Sequence, residues 1–224
     1  MISVVIPARN EARSLPATLQ AAGRLPQAAE VVVVDDGSDD ETARLAAAHG
    51  CRVVRMGRPQ GKGAALAAGV RVARGRILVF LDADLEDTAA LAAKLLEPVL
   101  AGHADMAVAA FPAPSRGGFG LVQWVARLGI RYLGGPWMRS PLSGQRAVRR
   151  EVLEAVGELA GGFGIEVGLT IDALRAGFRV VEVPVAMRHR ETGRDLAGFL
   201  HRGRQLWHVA GALARRWANA PVGR

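Results

Sequence analysis

The chain has 224 residues, and half of them are apolar, which suffices to bury the core of one domain or of two small ones. Its formal net charge of +8 favours an anionic partner, and an aromatic content of 5% without an aromatic-studded basic stripe argues against nucleic acid. A single cysteine, Cys51, excludes an internal disulfide and a cysteine metal cluster, as is typical of the reducing cytoplasm.

No segment approaches the roughly 18 uninterrupted apolar residues of a transmembrane helix. Met1 leads directly into a strand pattern, with no basic leader or cleavage site, so the sequence predicts no secretory signal. We therefore expect a cytoplasmic protein.

The first half of the chain alternates strand and helix patterns. Strands are predicted at 2–6, 30–34, 52–55, 77–81 and 105–110, and helices at about 11–22, 40–49, 61–74 and 88–100. Such alternation predicts an α/β fold: a doubly wound, mostly parallel, Rossmann-like sheet with helices on both faces.

The second half is less regular. A Gly- and Pro-rich loop at 111–120, expected to be a hinge or lid, precedes a helix near 119–133 and a short segment at 143–149. A helix at about 164–176, a strand at 178–185 and a basic amphipathic helix at about 194–217 follow. With no internal repeat, the simplest organisation is a single domain, 1–224, with a first half (1–110) and a second half (111–224).

Two carboxylates follow the apolar run 77–81: Asp82-Ala83-Asp84. Spaced two apart at the carboxyl end of a buried strand, they can point the same way at the edge where open α/β sheets bind ligands. Oxygen ligands of this kind suit Mg²⁺ or Mn²⁺ held together with substrate phosphates. The alternative is an acidic loop that caps the next helix, although Asp87 and Thr88 can do that alone.

The turn after the first strand, Pro7-Ala8-Arg9-Asn10-Glu11, lacks the G-x-G-x-x-G of dinucleotide-binding folds. Its polar side chains and proline bend suit recognition of a base or a ribose. Asn10 alone would more simply cap the helix that follows.

The acidic segment 35–42 reaches the same sheet edge. Asp36 there can accept hydrogen bonds from a ribose or a base, whereas Ser38 or Asp39 can cap the next helix. Further along, Gly61-Lys62-Gly63 opens an Ala-rich helix, where glycines admit a ligand and the helix start attracts anions. Lys62 can place a charge on a diphosphate, or it can simply be a solvated lysine.

Taken in chain order, the segments 4–11, 35–38, 61–63 and 82–84 resemble those of nucleotide-sugar glycosyltransferases of the GT-A fold, in the family 2 style. The resemblance implies that Asp84 ligates the metal, that Asp82 touches ribose or metal, and that Glu86 is a lesser metal ligand. It implies a donor site formed by Pro7, Ala8, Asn10, Glu11, Asp36, Ser38, Gly61, Lys62, Asp82 and Ala83.

The second half of the chain resembles a narrower group of these enzymes. Segments 141–147, 162–169 and 188–190 are similar to glucosyl-3-phosphoglycerate synthases, in which the histidine matching His189 completes the metal site. This chain has Ser143 with Gln145-Arg146 where those synthases have a glycine followed by an acidic residue. Polyprenyl-phosphate sugar transferases, in contrast, also carry Ser-Gly followed by a basic residue on the acceptor side. The implied acceptor-binding residues are Ser143, Gly144, Gln145, Arg146, Arg188 and Arg190.

Glu166 joins Asp84 and Lys62 as an expected catalytic residue. Near a helix start it can merely complement the helix dipole, yet Glu166 and Thr170 lie at i,i+4 on one polar stripe. His189, flanked by arginines, is by spacing alone more often a surface residue than a ligand. The stripe of the C-terminal helix can pack on its own domain, on a second subunit as a homodimer, or on the inner face of an anionic membrane.

The expected function is a metal-dependent transfer of a hexose, glucose from UDP-glucose by resemblance, to an anionic acceptor such as 3-phosphoglycerate. The alternative acceptor is a polyprenyl phosphate, attacked with inversion. Two other classes stay open from the sequence: a nucleotide-sugar binding module without turnover and a sugar-phosphate nucleotidyltransferase.

Overall fold

A computed structural model describes residues 1–111, 120–133, 135–157, 164–188 and 211. These residues form one seven-stranded sheet in the order β3-β2-β1-β4-β6-β5-β7. The strands are β1 (Ile2–Ala8), β2 (Ala28–Asp35), β3 (Arg52–Arg55), β4 (Ile77–Phe80), β5 (Met106–Ala110), β6 (Arg146–Arg149) and β7 (Val180–Pro184).

Helices connect most of these strands. They are α1 (Leu15–Ala22), α2 (Thr42–Ala48), α3 (Lys62–Val72), a 3₁₀ helix (Glu86–Ala92) continued by α4 (Ala93–Leu100), α5 (Gly120–Tyr132), α6 (Arg150–Val156) and α7 (Ile165–Arg175). Among the residues described, no helix has the length and apolarity needed to cross a membrane.

The sheet is mostly parallel, as predicted. β1 lies between β2 and β4, β3 extends the sheet beside β2, and β5 pairs with β7, all in parallel. β6 runs against both β4 and β5, with Arg146 opposite Phe80. Because β6 is reversed, the residues that precede it lie at the edge where β4 ends.

Both faces of the sheet are covered. Alternating β1 side chains enter two cores, with Val4 and Ile6 on the face of α1 and α4, and Val5 on the face of α3 and α7. Gly69 lets α3 approach the sheet, because a Cβ there would lie 2.3 Å from Val5 Cγ1. This is the doubly wound arrangement that the alternation of elements predicted.

Several boundaries differ from the prediction. The first helix begins at Leu15 rather than near residue 11, because the preceding residues form a turn bonded to the loop after β2. The helix predicted at 88–100 opens as 3₁₀, and α6 was not predicted. Most of the loop 111–120 and of the helix 194–217 lies outside the described residues; Gly211 is helical.

Candidate active site

The loops after β1 and β2 are joined side by side at the carboxyl edge of the sheet. Asn10 N donates to Ser38 Oγ at 2.9 Å, and Asp39 N donates to Asn10 Oδ1 at 2.9 Å. Asn10 adopts a left-handed φ of 55°, a region in which asparagine is better tolerated than most residues. Asn10 and Ser38 thus stabilise a shared two-loop platform, and Asn10 does not cap α1.

Glu11 belongs to the same platform. Its backbone N–H donates to Thr42 Oγ1 at 2.9 Å, and its carboxylate accepts a bond of 2.6 Å from Ser14 Oγ. The Glu11 carboxylate is therefore held at the start of α1, on the edge where β1 delivers Pro7 and Ala8.

Asp36 connects this platform to the start of α3. Its N–H donates to Ala8 O at 2.9 Å, and its two carboxylate oxygens accept bonds from Gln60 N at 2.7 Å and Gly61 N at 2.8 Å. Gly61 has a φ of 90°, which favours glycine. Asp36 therefore fixes the turn that presents Lys62.

Lys62 lies between two carboxylates. Its Nζ is 2.6 Å from Asp82 Oδ1 and 3.5 Å from Glu166 Oε1. Burial alone would lower the pKa of the ammonium, but the charges and hydrogen bonds of Asp82 and Glu166 outweigh it and raise that pKa. Lys62 therefore stays protonated at any physiological pH.

The residues before β6 complete this cluster. Gln145 is fully buried, and its Nε2 donates to Asp82 Oδ2 at 2.6 Å. Gly144 passes so close to Lys62 that a Cβ there would lie 2.3 Å from Nζ. Ser143 Oγ lies 3.4 Å from Gln145 Oε1. We call Lys62, Asp82, Gln145 and Glu166 the Lys62 cluster.

Arg146 lies beneath the cluster, with 1% of its surface exposed. Its guanidinium donates to Ser143 O and to Thr170 Oγ1, both at 2.9 Å. Burial lowers the pKa of Arg146 to about 10, although Glu166 and Glu182 counteract part of that shift. The guanidinium supports the loop from below, so the direct acceptor contact expected from the sequence would require it to leave these partners.

Asp84 lies on a turn held by a residue that the sequence did not single out. Thr18 Oγ1 donates to Ala83 O at 2.9 Å and accepts from Glu86 N at 2.8 Å, so one buried hydroxyl bonds the backbone on both sides of Asp84. Asp84 is half-buried, and Glu86 is exposed.

The chain returns to this turn after β7. Arg188 N donates to Thr88 Oγ1 at 3.3 Å, in the 3₁₀ helix that follows Asp84. The Arg188 side chain is exposed. His189 and Arg190, the expected metal ligand and acceptor residue, lie outside the described residues.

The donor atoms at this edge fit a hard divalent cation. Asp84 and Asp82 supply carboxylate oxygens, although Asp82 already bonds Lys62 and Gln145 through its two oxygens. Across the described ranges, no group of three or more His, Cys, Asp or Glu side chains could enclose a metal. A site of one or two carboxylates, completed by substrate phosphates, is the arrangement that Mg²⁺ commonly adopts.

Glu182 is a second residue with no signal in the sequence. Its carboxylate accepts bonds of 2.7 Å from both Arg139 N and Ser140 N, which anchors the start of the loop that ends at Gln145. Its role depends on a partner some 40 residues away, and sequence pattern cannot reveal such a pairing.

Comparisons with known proteins identify the family of the chain. The model of the family described as Glycosyl transferase family 2 matches residues 3–157. The chain is 35% identical over 211 residues to polyprenol monophosphomannose synthase of Mycolicibacterium smegmatis, covering 85% of this chain and 78% of that one. It is 33% identical over 240 residues to undecaprenyl-phosphate mannosyltransferase of Micrococcus luteus, covering 96% of each.

A solved structure is similar along nearly the whole chain. Glucosyl-3-phosphoglycerate synthase of Mycobacterium tuberculosis, in complex with Mn²⁺, UDP and glucosyl-3-phosphoglycerate, matches with a TM-score of 0.80 and 30% identity. The match covers 96% of this chain and 79% of that one. The same enzyme has been solved with Mg²⁺ and UDP.

Proposed function

This chain belongs to glycosyl transferase family 2 and is a glycosyltransferase of the GT-A fold, and we propose that it transfers a hexose from a UDP-sugar to an anionic phosphorylated acceptor. The observation that carries the proposal is the Lys62 cluster, in which a cation at the start of α3 meets Asp82 and the loop before β6. A donor at Lys62 and an acceptor at that loop would be neighbours.

On the donor side, the platform of Pro7, Ala8, Asn10, Glu11, Asp36 and Ser38 would hold the base and ribose. Gly61, Lys62, Asp82 and Ala83 would lie along the diphosphate and sugar. Support comes from the bonds that lock Asn10 to Ser38 and Asp36 to Gly61, because a pre-ordered site loses less entropy on binding. UDP and glucose are proposed because the structurally similar synthase has been solved with UDP and with UDP-glucose.

The charge balance of the cluster favours a divalent cation. The single charge of Lys62 faces two carboxylates, so a diphosphate placed there needs further positive charge. We assign Asp84 as the principal metal-holding residue, with His189 as its partner and Asp82 and Glu86 as lesser contributors. Bound Mg²⁺ or Mn²⁺ would supply Lewis-acid stabilisation of the leaving diphosphate. Lys62 would contribute a fixed positive charge beside the same oxygens.

Glu166 and the loop before β6 would serve the acceptor. Glu166 Oε1 lies 3.5 Å from Lys62 Nζ, so it can orient an acceptor hydroxyl next to the donor or hold Lys62 in place. Ser143, Gly144 and the exposed Arg188 would receive the acceptor phosphate with Arg190, while Gln145 and Arg146 would fix the loop. An acceptor that attacks through a phosphate oxygen needs no base, because its second pKa is about 6.

A polyprenyl phosphate is the second candidate acceptor. It is favoured by the two bacterial relatives that act on polyprenol and undecaprenyl phosphate, one of which matches over 96% of both chains. Such an acceptor would bring the enzyme to a membrane. Three expectations from the sequence stay predictions: a cytoplasmic location, membrane contact of the C-terminal segment, and a homodimer.

An acceptor panel tests the proposal. The full chain is incubated with UDP-glucose or GDP-mannose, with Mg²⁺ or Mn²⁺, and with 3-phosphoglycerate or a short-chain polyprenyl phosphate. Transfer to 3-phosphoglycerate supports the first candidate, and transfer to the polyprenyl phosphate alone supports the second. Tight UDP binding without transfer to either acceptor would contradict the proposal.

The metal assignment is tested with Asp84→Ala. We expect loss of metal-dependent donor binding, measured by titration calorimetry with and without Mn²⁺. Asp87→Ala, which removes an exposed carboxylate three residues later, is the matched control and should bind donor normally. Full activity of Asp84→Ala would remove Asp84 from the mechanism.

A further inference from the structure

An exposed aromatic surface lies along α5 and the turn after it. Trp124, Tyr132 and Trp137 are 52%, 78% and 55% exposed. Two of the four tryptophans and the one tyrosine of the chain are therefore on this surface. Side chains of this size are usually covered in a soluble domain, so the exposure points to a contact.

The exposed aromatic residues lie on one side of α5 and on the turn that packs against this helix. Trp124, Leu128 and Tyr132 follow i, i+4, i+8 spacing on one side of α5, whereas Val122, Ala126 and Ile130 are buried on the other. The turn that carries Trp137 folds back on α5, because a Cβ at Gly135 would lie 2.6 Å from Ile130 Cγ2. The side chain of Arg127 also donates to Arg139 O.

The chain segment that carries these side chains is basic, although the Glu182 carboxylate from β7 bonds the backbone of Arg139 and Ser140. Residues 106–150 contain seven arginines and no aspartate or glutamate. Two of the arginines, Arg131 and Arg139, are exposed on the same segments as the aromatic side chains. We define the α5 face as Trp124, Leu128, Arg131, Tyr132, Trp137 and Arg139.

Aromatic side chains with a polar tip, next to arginines, suit the boundary between lipid headgroups and acyl chains. Anionic headgroups supply the complementary charge. A symmetric contact between two copies is disfavoured, because it would set the arginines of this face against those of an identical copy. A nucleic acid would use the arginines but would not require a helical stripe that includes Leu128.

We propose that the α5 face seats the protein on the headgroup region of an anionic lipid bilayer. The face adjoins the acceptor side of the Lys62 cluster, because Trp137 and Arg139 lead directly into the loop that ends at Gln145. Ser140 Oγ, next to Arg139, accepts a bond of 3.1 Å from Phe111 N at the end of β5. The proposal concerns the location of the protein at a membrane, and it therefore does not depend on which acceptor the enzyme uses.

The test is co-sedimentation of the full chain with vesicles of phosphatidylcholine, with and without phosphatidylglycerol, at low and high salt. We expect salt-sensitive binding to the anionic vesicles only. Arg131→Gln should lower the partition coefficient about fivefold, the equivalent of one arginine at an anionic surface. The double variant Trp124→Ser, Tyr132→Ser should lower it about tenfold or more.

Matched controls remove the same groups elsewhere. Arg71→Gln takes an exposed arginine from α3, and Leu100→Ser takes an exposed leucine from α4; both should bind vesicles like the unmodified protein. UDP binding and circular dichroism verify that each variant is folded. Because vesicle binding is measured without a sugar donor, its failure is distinguishable from failure of the proposed transferase reaction.

Three outcomes would overturn the proposal. One is absence of binding to anionic vesicles. Another is loss of binding in Trp207→Ser, in the C-terminal segment, with none in the α5 variants. The third is a dimer of the unmodified protein that the double variant converts to monomer, which would make the face an interface between copies.

Discussion

The side-chain amide of Gln145 and the carboxylate of Asp82 are joined by a 2.6 Å hydrogen bond between residues 63 positions apart in the chain. Asp82 uses its other oxygen for Lys62, at 2.6 Å. An amide is suited to this place, because it donates a proton to a carboxylate without adding charge to a cluster that already holds one ammonium and two acids.

Gln145→Glu should disable the site with little change in shape. The new carboxylate would face the Asp82 carboxylate at hydrogen-bond distance. Their repulsion raises the pKa of the pair, but above that pKa both groups are ionised and no proton is left to bond them. We expect kcat/KM at neutral pH to fall about 10- to 100-fold, the worth of a buried bond to a charged group. Acidic pH should restore part of the activity.

The pH profile of sugar transfer checks this prediction. Gln20→Glu, which makes the same change at an exposed position on α1, is the control and should leave the profile unchanged. A Gln145→Glu enzyme with normal activity at neutral pH would show that the bond to Asp82 is not needed.

Gly144→Ala should displace Lys62. The new Cβ would fall 2.3 Å from Nζ, and the end of a flexible side chain can move where backbone cannot. We therefore expect a folded protein with weaker binding of UDP. Gly57→Ala is the matched control, because no atom lies within 4 Å of a Cβ there. Calorimetric titration with UDP measures both, and equal affinities would contradict the role given to Lys62.

Thr18→Val should loosen the turn that carries Asp84. The substitution removes a buried hydroxyl that bonds Ala83 O and Glu86 N, and leaves both groups unsatisfied. We expect a loss of about 1–3 kcal/mol in unfolding free energy and a higher metal concentration for half-maximal activity. Thr18→Ser retains the hydroxyl and should recover the metal dependence. If Thr18→Val and Thr18→Ser need the same metal concentration, the hydroxyl does not position Asp84.

Asp105→Asn should lower stability at neutral pH, lose this difference from the unmodified protein at low pH, and leave catalysis intact. Hydrogen bonds from Arg179 chiefly lower the pKa of Asp105, against a smaller opposing effect of burial. A lowered carboxylate pKa contributes stability above the unfolded-state value of about 3.9, and that contribution is lost as the pH falls through the folded-state pKa. Asp105 precedes β5, at the edge of the sheet opposite the Lys62 cluster.

Urea unfolding at several values from about pH 2 to 7 tests this expectation. The unmodified protein should lose more stability on acidification than Asp105→Asn does. Glu97→Gln, an exposed position on α4, serves as the control. Parallel acid curves for the unmodified protein and Asp105→Asn would contradict the prediction.

The sequence predicted the donor half of the fold well, because its information is local. Apolar runs at 4–6, 31–34 and 77–81 specify β1, β2 and β4, and polar residues at their ends must emerge at one edge of a parallel sheet. Topology placed Lys62 and Asp82 at that edge, whereas their ion pair is a finding of the structure.

The acceptor half was less predictable, because its contacts join distant residues. The family resemblance implied that Gln145 and Arg146 bind the acceptor, but the structure buries both, and Gln145 bonds Asp82. Thr18 and Glu182 support the site through partners that no local pattern indicates. The antiparallel direction of β6 could not be predicted from strand spacing either.

The antiparallel direction of β6 makes the position of Gly144 and Gln145 independent of insertions earlier in the chain. Because β6 enters the sheet against its neighbours, its pairing with β4 sets the position of Gly144 and Gln145, whatever the length of chain between β5 and residue 140. Insertions between β5 and residue 140 would change the acceptor side of the site without displacing the residues of the donor side. Relatives can thus diversify the molecules they modify while conserving a common donor machinery.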